Sequence, residues 1–278
     1  MHFVVKLLKS KPGGRLGSHR TTELCVESLP RTGKWLLCHI PAERNAMPRH
    51  LAIGDIHGCD TALRTLLEFV QLQNDDVIIT LGDYVNRGPG TYSVIEILLE
   101  LKSDYEVHCL RGNHELMLLS AKDDPGQYPT FMRVGGDRTI DSYPNLGRDD
   151  EFPELIPVEH WEFFEQQLLP YFETDTHFFV HAGAYAEVPL ADQPDFMLYW
   201  EKWNDPPKHE SGKVMVCGHT SQKSGLPLFN GNAICIDTWA FGGAWLSCLH
   251  AESGKIWQAN ENAETRTLWL DELPTEEG

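Results

Sequence analysis

Residues 50–58 read His50-Leu51-Ala52-Ile53-Gly54-Asp55-Ile56-His57-Gly58, a short apolar run followed by a glycine-flanked loop that carries a carboxylate and an imidazole. An apolar run bounded by turn residues is typical of a buried strand. The same arrangement recurs four times, with polar side chains able to bind metal in the loops 82–88, 112–115, 181–183 and 218–219. Because α/β proteins build their sites where strands end, we expect the five loops to meet at one edge of a sheet.

Helical patterns separate the first three predicted strands. Apolar residues repeat at helical spacing between 63 and 70, and Asp60 is the predicted cap of that helix. A second helix is predicted to begin at 89–91, and a third at Glu115 after the His114 loop. The order of strand, helix, strand, helix and strand predicts a parallel sheet with right-handed crossovers.

The second half of the chain has weaker patterns. Residues 122–157 are rich in Asp, Gly, Pro and Tyr and lack a period, so we expect irregular structure over the site, followed by a helix near 159–168. Short apolar runs between 178 and 258 predict a second, mainly antiparallel sheet packed on the first. The predicted fold class is therefore α/β.

Composition divides the chain into three regions. Residues 1–50 hold nine Lys/Arg and three Asp/Glu. We interpret 1–47 as a basic N-terminal arm, or as residues upstream of a true start at Met47, and both interpretations stay open. Residues 48–260 are the predicted catalytic domain. Residues 261–278 are predicted to be a frayed acidic C-terminal tail.

Charge, cysteine content and hydrophobicity indicate which partners and which compartment to expect. The formal net charge of −18 repels nucleic-acid backbones, so we expect no polynucleotide partner. Seven cysteines without a CxxC pair indicate small buried residues in a reducing compartment. No apolar stretch approaches the ~20 residues that cross a bilayer, and the run 3–8 is too short for a signal peptide. We expect a cytoplasmic protein without membrane contact.

The polar groups of the five loops predict a ligand set for two divalent metal ions. Mixed carboxylate, carboxamide and imidazole ligands suit Mn²⁺, Fe or Zn²⁺ better than Ca²⁺. Asp83 has two carboxylate oxygens and can bridge two ions. We assign site one to Asp55, His57 and Asp83, and site two to Asp83, Asn113, His181 and His219.

Charge suggests what such a centre binds. Two divalent ions outweigh the Asp55 and Asp83 carboxylates by two positive charges, which matches a phosphate dianion. Paired metals can share a water, lower its pKa and direct it at phosphorus. Arg87 can clamp phosphate oxygens. His114 is placed to protonate the leaving oxygen.

Three of the loops resemble the defining motifs of the phosphoprotein phosphatase family, which is calcineurin-like. They are Gly-Asp-Ile-His-Gly (54–58), Gly-Asp-Tyr-Val-Asn-Arg-Gly (82–88) and Leu-Arg-Gly-Asn-His-Glu (110–115). His-Ala-Gly (181–183) and Cys-Gly-His-Thr (217–220) are similar to the family's later metal histidines. The bacterial serine/threonine, protein phosphatase 1-like branch looks most similar, and the symmetrical diadenosine tetraphosphatases are close relatives.

The resemblance implies a metallophosphoesterase fold, which is a central β-sandwich of mixed sheets flanked by helices. It also implies a dimetal centre often loaded with Mn²⁺, and direct attack of a metal-activated water without a phosphoenzyme. The family's metal residues map onto the six residues assigned above, its phosphate arginine onto Arg87 and its acid onto His114. Asn113 is expected to contact substrate as well.

Two positions depart from the family pattern. Asn86 stands where an Asp usually pairs with the acid histidine, and an amide orients His114 without stabilising its imidazolium by charge. We therefore expect a lower pKa for His114. Lys202 stands where a second phosphate-binding Arg is usual, which keeps the charge but loses the bidentate fork.

The departures bear on the substrate. Alkyl leaving groups need protonation, whereas phosphoanhydride and aryl leaving groups need it much less. The tetraphosphatases also lack the Asp, as the resemblance implies, and share the stretch 88–90, but Tyr84 and Glu115 are more typical of protein phosphatases. We rank serine/threonine phosphatase first, symmetrical diadenosine tetraphosphate hydrolase second, and a non-catalytic phosphoprotein-binding protein third. Glu115 is interpreted as structural, at a helix start where acids suit the macrodipole.

Overall fold

The fold is a sandwich of two mixed β-sheets with helices on the outer faces, as predicted. It is seen in a computed structural model that describes residues 48–144 and 151–273. The predicted N-terminal arm and the alternative start at Met47 lie outside these ranges. No helix within them is both long and apolar enough to cross a membrane.

The first sheet has six strands in the order β11-β10-β9-β1-β2-β3. They are β1 (His50–Ile53), β2 (Val77–Thr80), β3 (Glu106–Cys109), β9 (Leu246–His250), β10 (Lys255–Ala259) and β11 (Thr265–Trp269). The first three pair in parallel, as the alternating pattern predicted. The last three are antiparallel, and β9 joins them to β1.

The second sheet has five strands in the order β4-β5-β6-β8-β7. They are β4 (Tyr171–Glu173), β5 (His177–Val180), β6 (Val214–Cys217), β7 (Leu228–Phe229) and β8 (Ala233–Cys235). The central strands β5, β6 and β8 pair in parallel, and only the edges are antiparallel. The prediction of a mainly antiparallel second sheet is therefore wrong, because β9 and β10 extend the first sheet instead.

The helices differ from the predictions mainly at their ends and in the middle of the chain. Their bounds are α1 (Asp60–Val70), α2 (Thr91–Asp104), α3 (Asn113–Asp123), α4 (Tyr128–Phe131), α5 (Asp137–Ser142), α6 (Val158–Gln166) and α7 (Asp195–Tyr199). Cys59, not Asp60, occupies the N-cap of α1, and no side chain caps it. The third helix begins two residues earlier than predicted, at Asn113.

The segment after α3 is helical rather than irregular. A π-helical turn (Met132–Gly136) joins α4 to α5, and Phe131 and Thr139 are completely buried. The burial of these residues explains the helical structure, because tertiary packing overrides a weak local pattern. The predicted C-terminal tail also differs, since it contributes β11 to the first sheet.

Apolar layers hold the two sheets and the helices together. Between the sheets lies a buried cluster that includes Ile79 and Leu249 of the first sheet and Phe179 and Val216 of the second. The face of the first sheet that α1 and α2 cover buries a larger cluster. The five cysteines of the described ranges are free and buried, as predicted for small apolar residues. Sheets packed in this way bring the ends of β1, β2, β3, β5 and β6 to one edge.

Candidate dimetal centre

The five loops that carry the predicted ligands do converge, and the backbones of three of them are strained. Among the described residues, nine non-glycine residues have a positive φ, and five of these belong to the loops. The five are His57, Asp83, Asn86, Arg87 and His219, with φ from 47° to 71°. A left-handed conformation costs a non-glycine residue about 1–2 kcal/mol, and such strain clusters where a structure holds functional side chains.

A single carboxylate holds two of the loops together. Glu115 is completely buried, and its Oε1 accepts the N–H groups of Tyr84 and Val85 at 2.8 and 3.2 Å. Its Oε2 accepts those of Asp83 and Gly112, both at 2.9 Å. Glu115 is structural, as predicted, but the reason is these four backbone hydrogen bonds rather than the helix macrodipole.

Two histidines present unprotonated nitrogens toward one point. His181 Nδ1 donates to the carbonyl of Leu81 at 2.8 Å, and His219 Nε2 donates to that of Trp200 at 3.1 Å. A carbonyl only accepts hydrogen bonds, so these ring nitrogens carry the protons. Burial lowers the pKa of His181 to about 4 and that of His219 to about 3, so both rings are neutral.

The remaining ring nitrogens therefore carry lone pairs. His181 Nε2 and His219 Nδ1 lie 3.0 and 3.2 Å from the Oδ1 of Asn113. Asp83 Oδ1 is 3.5 Å from the same His181 nitrogen. With the Asn113 oxygen facing them, these acceptors converge without a donor between them. A divalent cation can bind to all of these lone pairs at once, so the residues predicted for site two fit a metal ion.

A second group of ligand atoms shares Asp83. His57 Nδ1 donates to the Val85 carbonyl at 2.9 Å, so its Nε2 carries a lone pair. That nitrogen lies 3.4 Å from Asp83 Oδ2, and His114 Nε2 lies 3.8 Å from the same oxygen. One atom from each of His57, Asp83 and His114 falls within 4.8 Å of the others, as is also true of Asp83, His181 and His219. Asp83 is placed to bridge two ions.

Asp55, also predicted for site one, contacts the loop of His219. Its carboxylate accepts the backbone N–H of His219 at 3.0 and 3.2 Å. A third buried carboxylate, Asp237, adjoins Asp55. Burial first, and then Asp237 and Asp83, raise the pKa of Asp55 well above its usual range.

Buried carboxylates of this kind favour a bound cation. Asp55, Asp83 and Asp237 are all at most 3% exposed, and burial raises the pKa of Asp83 to about 7. An ionised carboxylate in such a setting is costly unless positive charge compensates it. The sequence contained a signal for Asp237, because it follows the apolar run of β8 just as the other polar loops follow their strands.

Arg87 lies over the centre. Its guanidinium nitrogens are 3.0 Å from His57 Nε2 and 3.1 Å from His114 Nε2. The guanidinium carbon lies 4.3 Å from the centre of the Phe241 ring, and that ring also packs edge-on against His57. Phe241 therefore positions the arginine, a role that the sequence pattern did not indicate.

Asn86, which departs from the family pattern described above, contacts His114 with a defined geometry. Asn86 Nδ2 is 2.8 Å from His114 Nδ1. The Asn86 Oδ1 accepts the Thr139 hydroxyl at 2.8 Å, and the Asn86 backbone N–H donates to the same hydroxyl at 2.7 Å. Thr139, on α5, thereby turns the amide NH₂ toward the histidine. Burial first, then His57 and Arg87, hold the pKa of His114 well below its usual range, in the direction that the sequence predicted.

These groups open into a cavity of about 290 Å³. Its lining includes predicted residues, among them Lys202, and three that were not predicted: Thr220, Ser221 and Lys223. The cavity contains the cations Arg87, Lys202 and Lys223 and one carboxylate, Asp83. It is therefore a pocket for an anion.

Comparison with known proteins identifies the class. Residues 48–243 match the family model described as calcineurin-like phosphoesterase, so the chain belongs to that family of metallophosphoesterases. The cold-active protein tyrosine phosphatase of a psychrophilic Shewanella shares the fold, with a TM-score of 0.57 over 80% of each chain at 18% identity.

Curated relatives match part of the chain. A symmetrical bis(5'-nucleosyl)-tetraphosphatase of Cellvibrio japonicus (strain Ueda107) is 32% identical over 133 residues, which are 48% of this chain and 44% of the relative. Its counterpart from Legionella pneumophila (strain Lens) is 41% identical over 112 residues, 40% of this chain and 34% of the relative. The chain spans less than half the length of these relatives.

The hydrogen bonds of Glu115 predict the effect of Glu115→Gln. A glutamine has one acceptor oxygen where the carboxylate has two. Backbone N–H groups that bond to the other carboxylate oxygen would then face an NH₂ group, which cannot accept a hydrogen bond. We expect the free energy of unfolding to fall by about 2–4 kcal/mol, measured by urea denaturation. Glu159→Gln, in the exposed first turn of α6, is the control and should change it by less than about 0.5 kcal/mol. Equal losses in both variants would mean that Glu115 serves only the helix macrodipole.

The convergent lone pairs predict the effect of His181→Gln on metal content. We expect the Mn²⁺-loaded protein to hold two ions per chain and the variant to hold one, because His181 belongs only to the group of ligand atoms with Asp83, Asn113 and His219. Elemental analysis after dialysis measures this. His160→Gln is the control, since His160 is equally buried but bonds Tyr143 and Glu96. Unchanged metal content in His181→Gln would contradict the assignment.

Proposed function

We propose that the protein hydrolyses a phosphoanhydride bond of dinucleoside tetraphosphates, symmetrically, in a Mn²⁺-loaded dimetal centre. The observation that carries this proposal is the contact between the Asn86 amide and His114 Nδ1. The curated relatives, named as symmetrical tetraphosphatases, support it too. Both favour this reaction over the serine/threonine phosphatase activity that sequence analysis ranked first.

The Asn86 contact determines how well His114 can protonate a leaving group. A serine alkoxide must be protonated as it departs, whereas a nucleoside diphosphate leaves as a stabilised anion. Because the Asn86 amide donates to Nδ1, the proton of the neutral imidazole belongs on Nε2, and Arg87 must turn from this nitrogen to a phosphate oxygen before Nε2 can donate. Asn86 supplies no negative charge to stabilise a second proton. His114 is therefore suited to donate a hydrogen bond to an oxygen that already carries its charge well.

The cations of the pocket fit a polyphosphate chain. Arg87, Lys202 and Lys223 line one cavity of about 290 Å³. A single phosphate monoester brings about two negative charges, and a chain of four phosphates brings more. Arg87 can grip two oxygens at once, while the flexible lysines act as point charges along the chain. Three cations beside a dimetal centre carry more positive charge than one phosphate monoester requires.

The metal ligands remain those assigned from the sequence. Asp55, His57 and Asp83 would hold one ion, and Asp83, Asn113, His181 and His219 the other. Two divalent ions supply Lewis acidity toward phosphate oxygens and lower the pKa of bound water. Phe241 holds Arg87 over the same place. We also place the protein in the cytoplasm, where free cysteines such as those of the described ranges persist.

Product analysis tests the proposal. The Mn²⁺-loaded protein should convert diadenosine tetraphosphate into ADP as the only nucleotide, measured by anion-exchange chromatography. AMP together with ATP would show that cleavage is asymmetrical. A higher kcat/KM for a phosphoserine peptide than for diadenosine tetraphosphate would restore the protein phosphatase assignment.

The Asn86 contact also predicts the effect of Asn86→Asp. The Thr139 hydroxyl can donate to one carboxylate oxygen while the other accepts from His114 Nδ1, so the loop should keep its shape. General acids contribute about 10²–10⁴-fold to a rate. We expect kcat for a phosphoserine peptide to rise at least about tenfold, and kcat for p-nitrophenyl phosphate much less. Thr176→Val, away from the site, serves as a control. Equal gains on both substrates would rule out the leaving-group argument.

A further inference from the structure

A second cavity adjoins the phosphate pocket. Its volume is about 290 Å³, and Lys202 lies in the wall of both cavities. This is near the lower end of the range for small-molecule sites, which is about 300–1,000 Å³. Its other walls include the aromatic and apolar side chains of Tyr185, Met197, Trp203 and Met215. These walls suit the apolar faces of a compact, flat group.

The backbone holds this cavity in place relative to the dimetal centre. One wall, residues 182–187, directly follows the proposed ligand His181. The N–H groups of Ala182 and Gly183 donate to carbonyls of Leu198 and Met197, both at 2.9 Å. Another wall, formed by residues 201–204 with Pro206 and Pro207, contains Lys202. The Trp203 N–H donates to the Thr220 hydroxyl of the phosphate pocket at 2.9 Å. A molecule can therefore extend from one cavity into the other.

The charges of the two cavities differ. The phosphate pocket holds three cations and one carboxylate, whereas the second cavity holds Glu187, Glu201 and one cation, Lys202. Two carboxylates repel phosphate and accept hydrogen bonds from amino or hydroxyl groups. Asn204 adds an amide that both donates and accepts. The second cavity thus selects a neutral group rich in hydrogen-bond donors.

We propose that the second cavity binds the purine base and ribose of one half of the dinucleotide, with Lys202 on the phosphates between base and metal centre. This inference rests on the proposed function and names the part of the substrate that gives specificity. Aromatic side chains stack on the faces of nucleobases. Tyr185 is 47% exposed, so its ring can be reached by a ligand without displacing the core.

Equilibrium binding tests the base site separately from catalysis. With the Mn²⁺-loaded protein, isothermal titration should show ADP binding at least tenfold more tightly than pyrophosphate, which lacks base and ribose. Tyr185→Ala should reduce this ADP-over-pyrophosphate preference at least fivefold. Phe229→Ala removes a similarly exposed ring on β7, 43% exposed, and should leave the preference unchanged.

The outcomes separate the two proposals. Equal affinities for ADP and pyrophosphate, or an unchanged preference in Tyr185→Ala, would overturn the base site even if diadenosine tetraphosphate is hydrolysed. A preference for ADP that Tyr185→Ala reduces supports the base site even if the tetraphosphate is not hydrolysed, in which case only the proposed reaction fails. A fivefold rise in the KM for diadenosine tetraphosphate relative to that for p-nitrophenyl phosphate in Tyr185→Ala would support both.

Discussion

The buried Glu115 carboxylate is the interaction on which the site depends most. Its four hydrogen bonds join the loop after β2, which carries Asp83, Asn86 and Arg87, to the turn at Gly112 before Asn113 and His114. Each oxygen accepts two backbone N–H groups, so the carboxylate matches the geometry of both loops at once. Without it, neither the position of Asp83 between the two groups of ligand atoms nor the pairing of Asn86 with His114 has a defined geometry.

The helical segment after α3 supports the same loop from the other side. Gly135 accepts the Arg87 N–H at 3.2 Å, and Thr139 binds both the backbone and the side chain of Asn86. The strained φ angles of Asn86 and Arg87 are therefore stabilised by partners distant in sequence. This explains how a single Asn in place of Asp can change the chemistry of His114 while the rest of the centre keeps its shape.

Much of this arrangement could be predicted from the sequence because the signals are local. Each site loop follows a short apolar run, and strands that end at one sheet edge bring their loops together. The positions of β1, β2 and α2 all follow from patterns within a few residues.

Other features depend on contacts between distant segments. Strands β9 and β10 pair with the first sheet through β1, and short apolar runs do not reveal their partners. The segment 128–142 is helical because Phe131 and Thr139 are buried. Asp55 lies beside Asp237, a residue nearly two hundred positions away, and Lys223 and the second cavity have no sequence motif. Glu115 was interpreted correctly as structural, yet its hydrogen bonds to the loop after β2 could not be deduced.

We propose that His114, held by an amide, favours leaving groups that need little protonation. The most direct test is the dependence of log kcat/KM on leaving-group pKa across aryl and alkyl phosphate monoesters, measured with the Mn²⁺-loaded protein. We predict a steep fall in rate as the leaving-group pKa rises, because no strong acid assists departure. A rate that hardly depends on the leaving group would contradict the account.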